Sequence, residues 1–242
     1  MDGAEPRRRG AAGFLTGWKG ATLAALLGAL AGAALMAFFS GQLIRSYLLS
    51  HPEVIPEAMD RLQLRESAGI VGAHRAALET PFAGAWAGAE DGDVVLVQFF
   101  DYACTYCRKT NPEVDRLLRE DPKLKAVWRE WPVLGADSEA AAQVSLAAAR
   151  QGRFRAFHEK MFALGRPSPA TIAEAQAMVG VSPDLVAGIG DAARSELAQN
   201  NQLARALGAS GTPTFVVGDR ILHGAVGYAS LKQAIDEARA GD

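Results

Sequence analysis

The sequence predicts an α/β fold with an inserted helical domain, preceded by an N-terminal transmembrane helix and a helical stalk. Three observations support this prediction. A strand, a helix and a second strand follow one another between residues 94 and 131. From about 138 to 208 the pattern is helical throughout, and a β-hairpin with a last helix follows. Far upstream, a long uncharged stretch begins at Gly20.

The predicted boundaries divide the chain into four parts. Residues 1–19 form a basic cytoplasmic tail, residues 20–44 an anchor or signal peptide, and residues 45–80 a helical juxtamembrane or oligomerisation segment. Residues 81–242 form the catalytic domain, with the helical insertion at about 138–208.

The N-terminal apolar stretch predicts membrane attachment. No charge occurs from Gly20 to Ile44, and about twenty helical residues span the ~30 Å hydrocarbon layer. Arginines 7 to 9 precede the stretch and favour a cytoplasmic N-terminus. We therefore expect a single-pass anchor in a bacterial inner membrane, with the catalytic domain in the periplasm. Two alternatives stay open: a signal peptide whose cleavage leaves a soluble periplasmic protein, and a buried helix of a soluble protein.

The segment at 45–80 carries an apolar stripe at helical spacing. Pro52 and Pro56 suit the first turn of a helix. The stripe consists of Val54, Ile55, Ala58, Met59 and Leu62. Two interpretations stay open: a stalk helix that packs on its own domain, or a self-association element that holds two or three copies together.

The central motif is Cys104-Thr105-Tyr106-Cys107, which follows an apolar run and opens a helix. This order is typical of a thiol–disulfide redox site. Two intervening residues put both sulfurs on one helical turn, close enough to bridge. Unpaired N–H groups and the helix macrodipole favour a thiolate at the helix N-terminus. We therefore predict that Cys104 attacks and that Cys107 resolves.

Composition argues against several other classes of protein. The formal net charge is −2, so charge balance suggests no nucleic-acid partner. The chain has two cysteines and four histidines without ligand spacing, so we expect no zinc site. Arg108 stands where haem attachment would need a histidine. We expect no cofactor beyond the redox-active disulfide Cys104–Cys107.

Five segments complete the predicted domain. A second strand runs from about Lys125 to Trp131, and Asp137-Ser138 predicts a helix start. Residues 211–217 and 220–223 predict a hairpin around Gly218-Asp219. An amphipathic helix follows at about residues 230–240.

Three motifs together resemble a known family. They are Phe99 to Cys107, Trp131 to Gly135, and Gly211 to Phe215. Over roughly residues 85–240 the chain is similar to thioredoxin-fold proteins of the DsbA family, in the membrane-anchored or periplasmic branch that includes ScsC-like proteins. The stretch from Pro52 to Leu62 resembles, more weakly, the N-terminal oligomerisation region of ScsC-like proteins.

The resemblance implies a thioredoxin-like fold and a substrate-binding loop. Thr212-Pro213 would be a cis peptide beside Cys104, whose backbone pairs with an extended client segment. The alternative from the residues is a trans proline at the start of an edge strand. Thr105, Tyr106 and Thr212 would tune the reduction potential of the thiol pair.

One position departs from the family pattern. Many relatives have a buried glutamate where this chain has Gln98, on the strand under the thiols. A carboxylate relays protons and an amide does not titrate, so proton relay to Cys107 is in doubt. Asp101 is nearer to the thiols in sequence, but nothing in the pattern assigns it as the substitute.

The function that follows is a thiol–disulfide oxidoreductase, a disulfide oxidase or isomerase. Its expected partners are exported proteins with thiols or disulfides, and a membrane redox partner. One alternative is a non-enzymatic periplasmic module that handles copper or another soft metal through paired thiolates. Another is a structural interaction protein, in which residues 45–80 assemble a homodimer or homotrimer.

Overall fold

The computed structural model describes the backbone of residues 12–241 and the side chains of residues 20–241. The chain divides into two compact units between Arg61 and Leu62. Residues 1–11 of the predicted basic tail lie outside the described part.

The first unit is helical. Helix α1 (Ala12–Ser50) includes the whole predicted anchor and extends beyond both of its ends. Its segment Gly20–Ser50 is long and apolar enough to cross a membrane, and none of its most apolar window is buried. Helix α2 (Val54–Glu79) begins in this unit and ends in the second.

The second unit alternates strands with helices before and after a helical block. Its first elements are β1 (Trp86–Gly88), β2 (Val94–Phe100), α3 (Thr105–Glu120) and β3 (Leu124–Glu130). The block consists of α4 (Ala136–Arg150), α5 (Phe154–Leu164), α6 (Pro169–Val179), α7 (Pro183–Gly188) and α8 (Gly190–Ala206). The last elements are β4 (Thr214–Val217), β5 (Arg220–His223) and α9 (Tyr228–Gly241).

The five strands form one mixed sheet in the order β1-β3-β2-β4-β5. Strand β2 is central: it pairs in parallel with β3 and antiparallel with β4. The predicted α/β architecture with a helical insertion between β3 and β4 is therefore confirmed. The active-site loop leaves the carboxyl end of β2, between its two neighbours.

Helices cover both faces of the sheet, and this explains why β2 is apolar at every position except Gln98. Successive side chains of a strand point to opposite faces. Leu96 and Phe100 pack in the core shared with α3, α9 and the helical block, whereas Val97 and Phe99 pack in the core shared with α2 and α8. A strand buried on both faces has no polar alternation.

Arg129 fixes the end of helix α2 to the second face. Its buried guanidinium donates hydrogen bonds to the carbonyl oxygens of Ala77, Leu78 and Thr80. It also pairs with Glu196 at 2.9 Å. The last carbonyls of a helix have no partner inside the helix, so this cation satisfies them.

Two local details differ from the sequence prediction. Trp86 begins a short strand, β1, which the sequence analysis does not predict and which pairs antiparallel with β3. Helix α4 starts at Ala136 after Gly135, whose φ is 125°, and not at Asp137-Ser138. The reason is that Ser138 is buried in the helix and makes no capping hydrogen bond among the described residues.

Candidate active site

Cys104 lies at the point where strand β2 passes into helix α3. It is the N-cap residue of α3, with extended backbone angles (φ −79°, ψ 115°). Its Sγ accepts a hydrogen bond from the Cys107 N–H at 3.4 Å. Cys107, one turn into the helix, is fully buried, and Cys104 is 6 % exposed. Both cysteines are free thiols.

The two thiols have opposite acidities. A hydrogen bond from the Cys107 thiol lowers the pKa of Cys104 to about 5 against the opposing effect of burial, with further hydrogen bonds from Thr212 and from the N–H groups of Cys107 and Tyr106. Burial and the hydrogen bond to Cys104 raise the pKa of Cys107 far above its ordinary value. Cys104 is therefore the thiolate at neutral pH, and Cys107 stays protonated.

The loop before β4 closes one side of the thiol pair. The Thr212–Pro213 peptide bond is cis. The carbonyl oxygen of Thr212 lies 3.1 Å from Cys104 Sγ. The Pro213 carbonyl accepts a hydrogen bond from Gly224 N–H at 2.8 Å, so the hairpin holds this loop in place.

Asp101 joins the active-site loop to the segment after β3. Its buried carboxylate accepts one hydrogen bond from Ala103 N–H at 2.7 Å. It accepts two more from the N–H groups of Val133 and Leu134, at 2.8 and 2.9 Å. The backbone N–H of Asp101 in turn points to the sulfur of Cys107. Asp101 thus holds the backbone around the thiols.

The other predicted tuning residues lie in different places. Gln98 is fully buried and accepts a hydrogen bond from Trp128 Nε1 at 2.9 Å. Its Nε2 has no hydrogen-bond partner within the described residues. Thr105 and Tyr106 are exposed on the first turn of α3, Tyr106 to 63 %. Gln98 therefore belongs to the buried core, whereas Thr105 and Tyr106 belong to the surface of the site.

The structure adds a buried polar cluster that the sequence analysis did not identify. Tyr102 Oη lies 2.9 Å from Ser145 Oγ and 3.4 Å from His158 Nδ1. Asn111 Nδ2 lies 3.2 Å from His158 Nε2, so the ring also joins helix α3 to this cluster. Burial, with a smaller effect of Arg155, lowers the pKa of His158 well below its ordinary value.

Glu130 completes this cluster. It ends β3, in register with Phe100, and is 2 % exposed. Burial raises the pKa of Glu130 well above its ordinary value, and the Asp101 carboxylate adds to this, while Ser145 and Tyr102 oppose it by hydrogen bonding. No alternation in β3 singles out Glu130, because side chains of both parities are buried along this strand.

Three exposed apolar or aromatic side chains lie near the thiol pair in the sequence or on segments that contact its loop. Val133 and Leu134 are both 46 % exposed, and their N–H groups bind Asp101 below the thiols. Tyr106 lies between the two cysteines in sequence. Exposed apolar groups of this kind beside a reactive thiol suit contact with an unfolded chain.

Metal ligands are sparse in this region. Among the described residues, no group of three or more His, Cys, Asp or Glu side chains is placed to hold a metal ion.

Comparison with known proteins decides the family. The model of the DSBA-like thioredoxin domain matches residues 95–236. The chain belongs to this family. A second match, to the N-terminal domain of the copper resistance protein ScsC, covers residues 41–68. Together they confirm the resemblance to the ScsC-like branch of DsbA-family proteins.

Solved structures of DSBA-like proteins agree with this assignment. A thioredoxin-like oxidoreductase from Silicibacter pomeroyi is 36 % identical and has a TM-score of 0.64, over 67 % of this chain and 95 % of that one. ScsC of Proteus mirabilis is 30 % identical and has a TM-score of 0.66, over 86 % of this chain and 99 % of that one. These neighbours support thiol–disulfide oxidoreductase chemistry in general.

Curated relatives match part of this chain. The Na⁺/H⁺ antiporter NhaA 1 of Salinispora arenicola is 30 % identical over 166 residues. NhaA 3 of Salinispora tropica is 30 % identical over 158 residues. The matches cover 64 % and 62 % of this chain and, in each case, 24 % of the antiporter, so the chain spans about a quarter of these relatives' length.

Proposed function

We propose that this chain is a thiol–disulfide oxidoreductase that acts on exported proteins, with Cys104 as the attacking sulfur and Cys107 as the resolving sulfur. The observation that carries the proposal is the placement of Cys104 at the N-terminus of α3, where hydrogen bonds lower the pKa of its thiol to about 5, beside the loop that holds the cis Thr212–Pro213 bond. A thiolate is the nucleophile of disulfide exchange.

The acidity of Cys104 favours donation of disulfides. Stabilising the Cys104 thiolate stabilises the reduced enzyme. The Cys104–Cys107 disulfide is therefore a stronger oxidant than a disulfide between two thiols of ordinary pKa. Cys104 is also the better leaving group of the two when a client thiolate resolves the mixed disulfide. A membrane redox partner would then reoxidise the pair. Client segments would bind along the Thr212-Pro213 loop and the apolar surface formed by Tyr106, Val133 and Leu134.

A second candidate, disulfide isomerisation, rests on helix α2. Ile55, Met59 and Leu62 are exposed and recur at i, i+4 and i+7, on one face of the helix. Such a stripe suits association of two or three copies, and several sites on one assembly suit the reshuffling of one client. Charge substitutions at all three positions should reduce the sedimentation mass of the full chain in detergent to that of a monomer. An unchanged sedimentation mass would contradict the proposed assembly through helix α2.

Helix α1 supports a location in the bacterial inner membrane. A single uncleaved span would leave residues 1–19 in the cytoplasm and the catalytic domain in the periplasm. Mass spectrometry of the chain purified from membranes tests this directly. An intact N-terminus supports the anchor, whereas a mature form that lacks the apolar stretch supports the cleaved signal peptide.

One observation favours the copper alternative: the family model that matches residues 41–68 is named for copper resistance. Paired thiolates bind Cu(I). Titration of Cu(I) into the full chain and into the variant without both cysteines measures this. Tight, cysteine-dependent binding together with absent disulfide exchange would replace the enzymatic proposal.

The enzymatic proposal is tested by insulin reduction and by the refolding of scrambled ribonuclease. The full chain in detergent should be active in at least one assay. Cys104→Ala should abolish this activity, and Lys109→Ala, an exposed change on the same helix, should not. Equal activity in the chain and in Cys104→Ala would contradict the proposal.

A further inference from the structure

Cys107 poses a chemical problem that the thiol pair cannot solve alone. When a client thiolate attacks Cys104 in the disulfide, Cys107 leaves as a thiolate. Its sulfur is fully buried and its pKa is raised, so it needs a proton that bulk water cannot deliver directly. A buried acid near the thiols would supply it, and Gln98 has no proton to give.

Glu130 is a buried acid in the same core. It ends β3 beside Phe100, the last residue of β2, on the face that also carries Gln98 and Trp128. The carboxyl interacts with the hydroxyls of Tyr102 and Ser145. Its Oε1 is buried and has no hydrogen-bond partner among the described residues.

The charges around Glu130 keep its proton in place. Asp101 on the active-site loop and Glu196 on α8 are both acidic and disfavour a further negative charge. The neighbouring Arg129 is engaged by Glu196 and by the end of α2. No ion pair to Glu130 occurs in the described part of the chain.

The remaining neighbours do not compensate the charge either. From α5, His158 faces the cluster as a neutral ring. The charge of Arg155, on the same helix, acts on the His158 ring and lowers its pKa further. Tyr102 stays protonated because burial raises its pKa. Ser145, from α4, is neutral. A protonated Glu130 is the form that this environment accepts.

Glu130 and Cys107 both interact with Asp101 of the active-site loop. The Cys107 sulfur accepts from the backbone N–H of Asp101. The Glu130 carboxyl faces the Tyr102 hydroxyl and the Asp101 carboxylate. The loop between β2 and α3 thus interacts with both the acid and the resolving sulfur.

We propose that Glu130 is the proton-exchanging carboxyl of this redox site, and that it replaces, from the adjacent strand, the acid missing at Gln98. The proposal rests on the proposed thiol–disulfide exchange. It makes Glu130 a residue that acts on Cys107 through the Asp101-Tyr102 segment, with Tyr102 and Ser145 orienting its carboxyl.

The step balances as follows. A client thiolate bonds to Cys104 Sγ, the Cys104–Cys107 bond breaks, and Cys107 takes its electron pair. A proton passes from Glu130 to Cys107, which leaves a thiol and a carboxylate. The second client thiolate then attacks the client sulfur of the mixed disulfide and releases the Cys104 thiolate. The client loses two electrons and the enzyme gains them; Glu130 regains a proton from solvent.

The test is single-turnover oxidation of reduced ribonuclease by the oxidised full chain in detergent, from mildly acidic to mildly alkaline pH. Glu130→Gln should slow the reaction on the order of a hundredfold, the lower end of what one positioned acid contributes. It should also remove one inflection of the pH profile. Gln98→Glu added to Glu130→Gln should restore both rate and profile, and the exposed control Glu139→Gln should change neither.

The outcomes separate the two proposals. Inactivity of the unmodified chain contradicts the proposed function. Normal activity with an unchanged pH profile in Glu130→Gln overturns only the role of Glu130, as does a uniform loss that Gln98→Glu fails to rescue. If Glu130→Gln does not fold, infrared difference spectra of the oxidised and reduced chain decide. A protonated buried carboxyl that changes with redox state supports the proposal, and its absence overturns it.

Discussion

The Sγ atom of Cys104 lies 3.1 Å from the carbonyl oxygen of Thr212, a residue 108 positions further along the chain. Folding brings together the end of β2, which carries the nucleophile, and the loop before β4, because these two strands pair antiparallel. An extended client segment on that loop would lie against the sulfur that attacks it.

Cys104 should titrate as a strong acid for a thiol. Its pKa is lowered from 9.0 to about 5, so its thiolate forms as the pH rises through about 5 and persists at neutral pH. The ultraviolet absorbance of the thiolate and the rate of alkylation should rise together over this range in the reduced chain. Cys107→Ala removes the strongest hydrogen bond to Cys104, so it should shift the midpoint upward. A midpoint near 9 in the unmodified chain would contradict this account.

Thr212 should contribute to that acidity. Its side-chain hydrogen bond lowers the pKa of Cys104, and Thr212→Val removes the hydroxyl while keeping the shape. We expect a higher Cys104 pKa and a less oxidising disulfide, measured by thiolate absorbance and by equilibration with glutathione. Thr80→Val, at the end of α2, is the control and should leave both values unchanged. A Thr212→Val variant with unaltered acidity would show that the hydroxyl plays no part.

Asp101 should matter for stability, because its carboxylate accepts three backbone hydrogen bonds in a buried position. Asp101→Asn should lower the free energy of unfolding by roughly 1.5–3 kcal/mol, the range for hydrogen bonds to a charged group. Denaturant unfolding followed by tryptophan fluorescence measures this. The exposed change Asp137→Asn should stay within about 0.5 kcal/mol of the unmodified chain. Equal losses of unfolding free energy in both variants would contradict the structural role of Asp101.

Glu130 should make the fold sensitive to alkali. Its pKa is raised in the folded state, so its contribution to stability is fully present below the ordinary value of 4.5 and is lost as pH rises toward the raised value. Relative to the unmodified chain, Glu130→Gln should therefore become progressively more stable with rising pH. Parallel unfolding free energies across the pH range would mean that Glu130 titrates normally. This measurement does not depend on any role in catalysis.

Much of the fold could be predicted because its signals are local. The apolar run of β2, the Cys-x-x-Cys spacing and the turn at Gly218-Asp219 are each contained in a few neighbouring residues. Strand β1 was missed since its three residues, Trp86–Gly88, are too few to show a period. It exists because β3 offers it a free edge.

The polar cluster under the thiols could not be predicted in the same way. It depends on the register that places Phe100 beside Glu130, and on the packing of α4 and α5 that brings Ser145 and His158 to Tyr102. Strand register and helix packing depend on contacts between residues that lie far apart in the sequence. The sequence showed that an acid is missing at Gln98, and only the paired strands show where another carboxyl lies.

The most direct test of the central claim is to trap the covalent intermediate with insulin. The full-length Cys107→Ser variant, reduced and in detergent, should form a one-to-one mixed disulfide through Cys104, visible as a single adduct by mass spectrometry and released by reductant. The same variant with Cys104→Ala should form none. Absence of the adduct, or its formation without Cys104, would contradict the account.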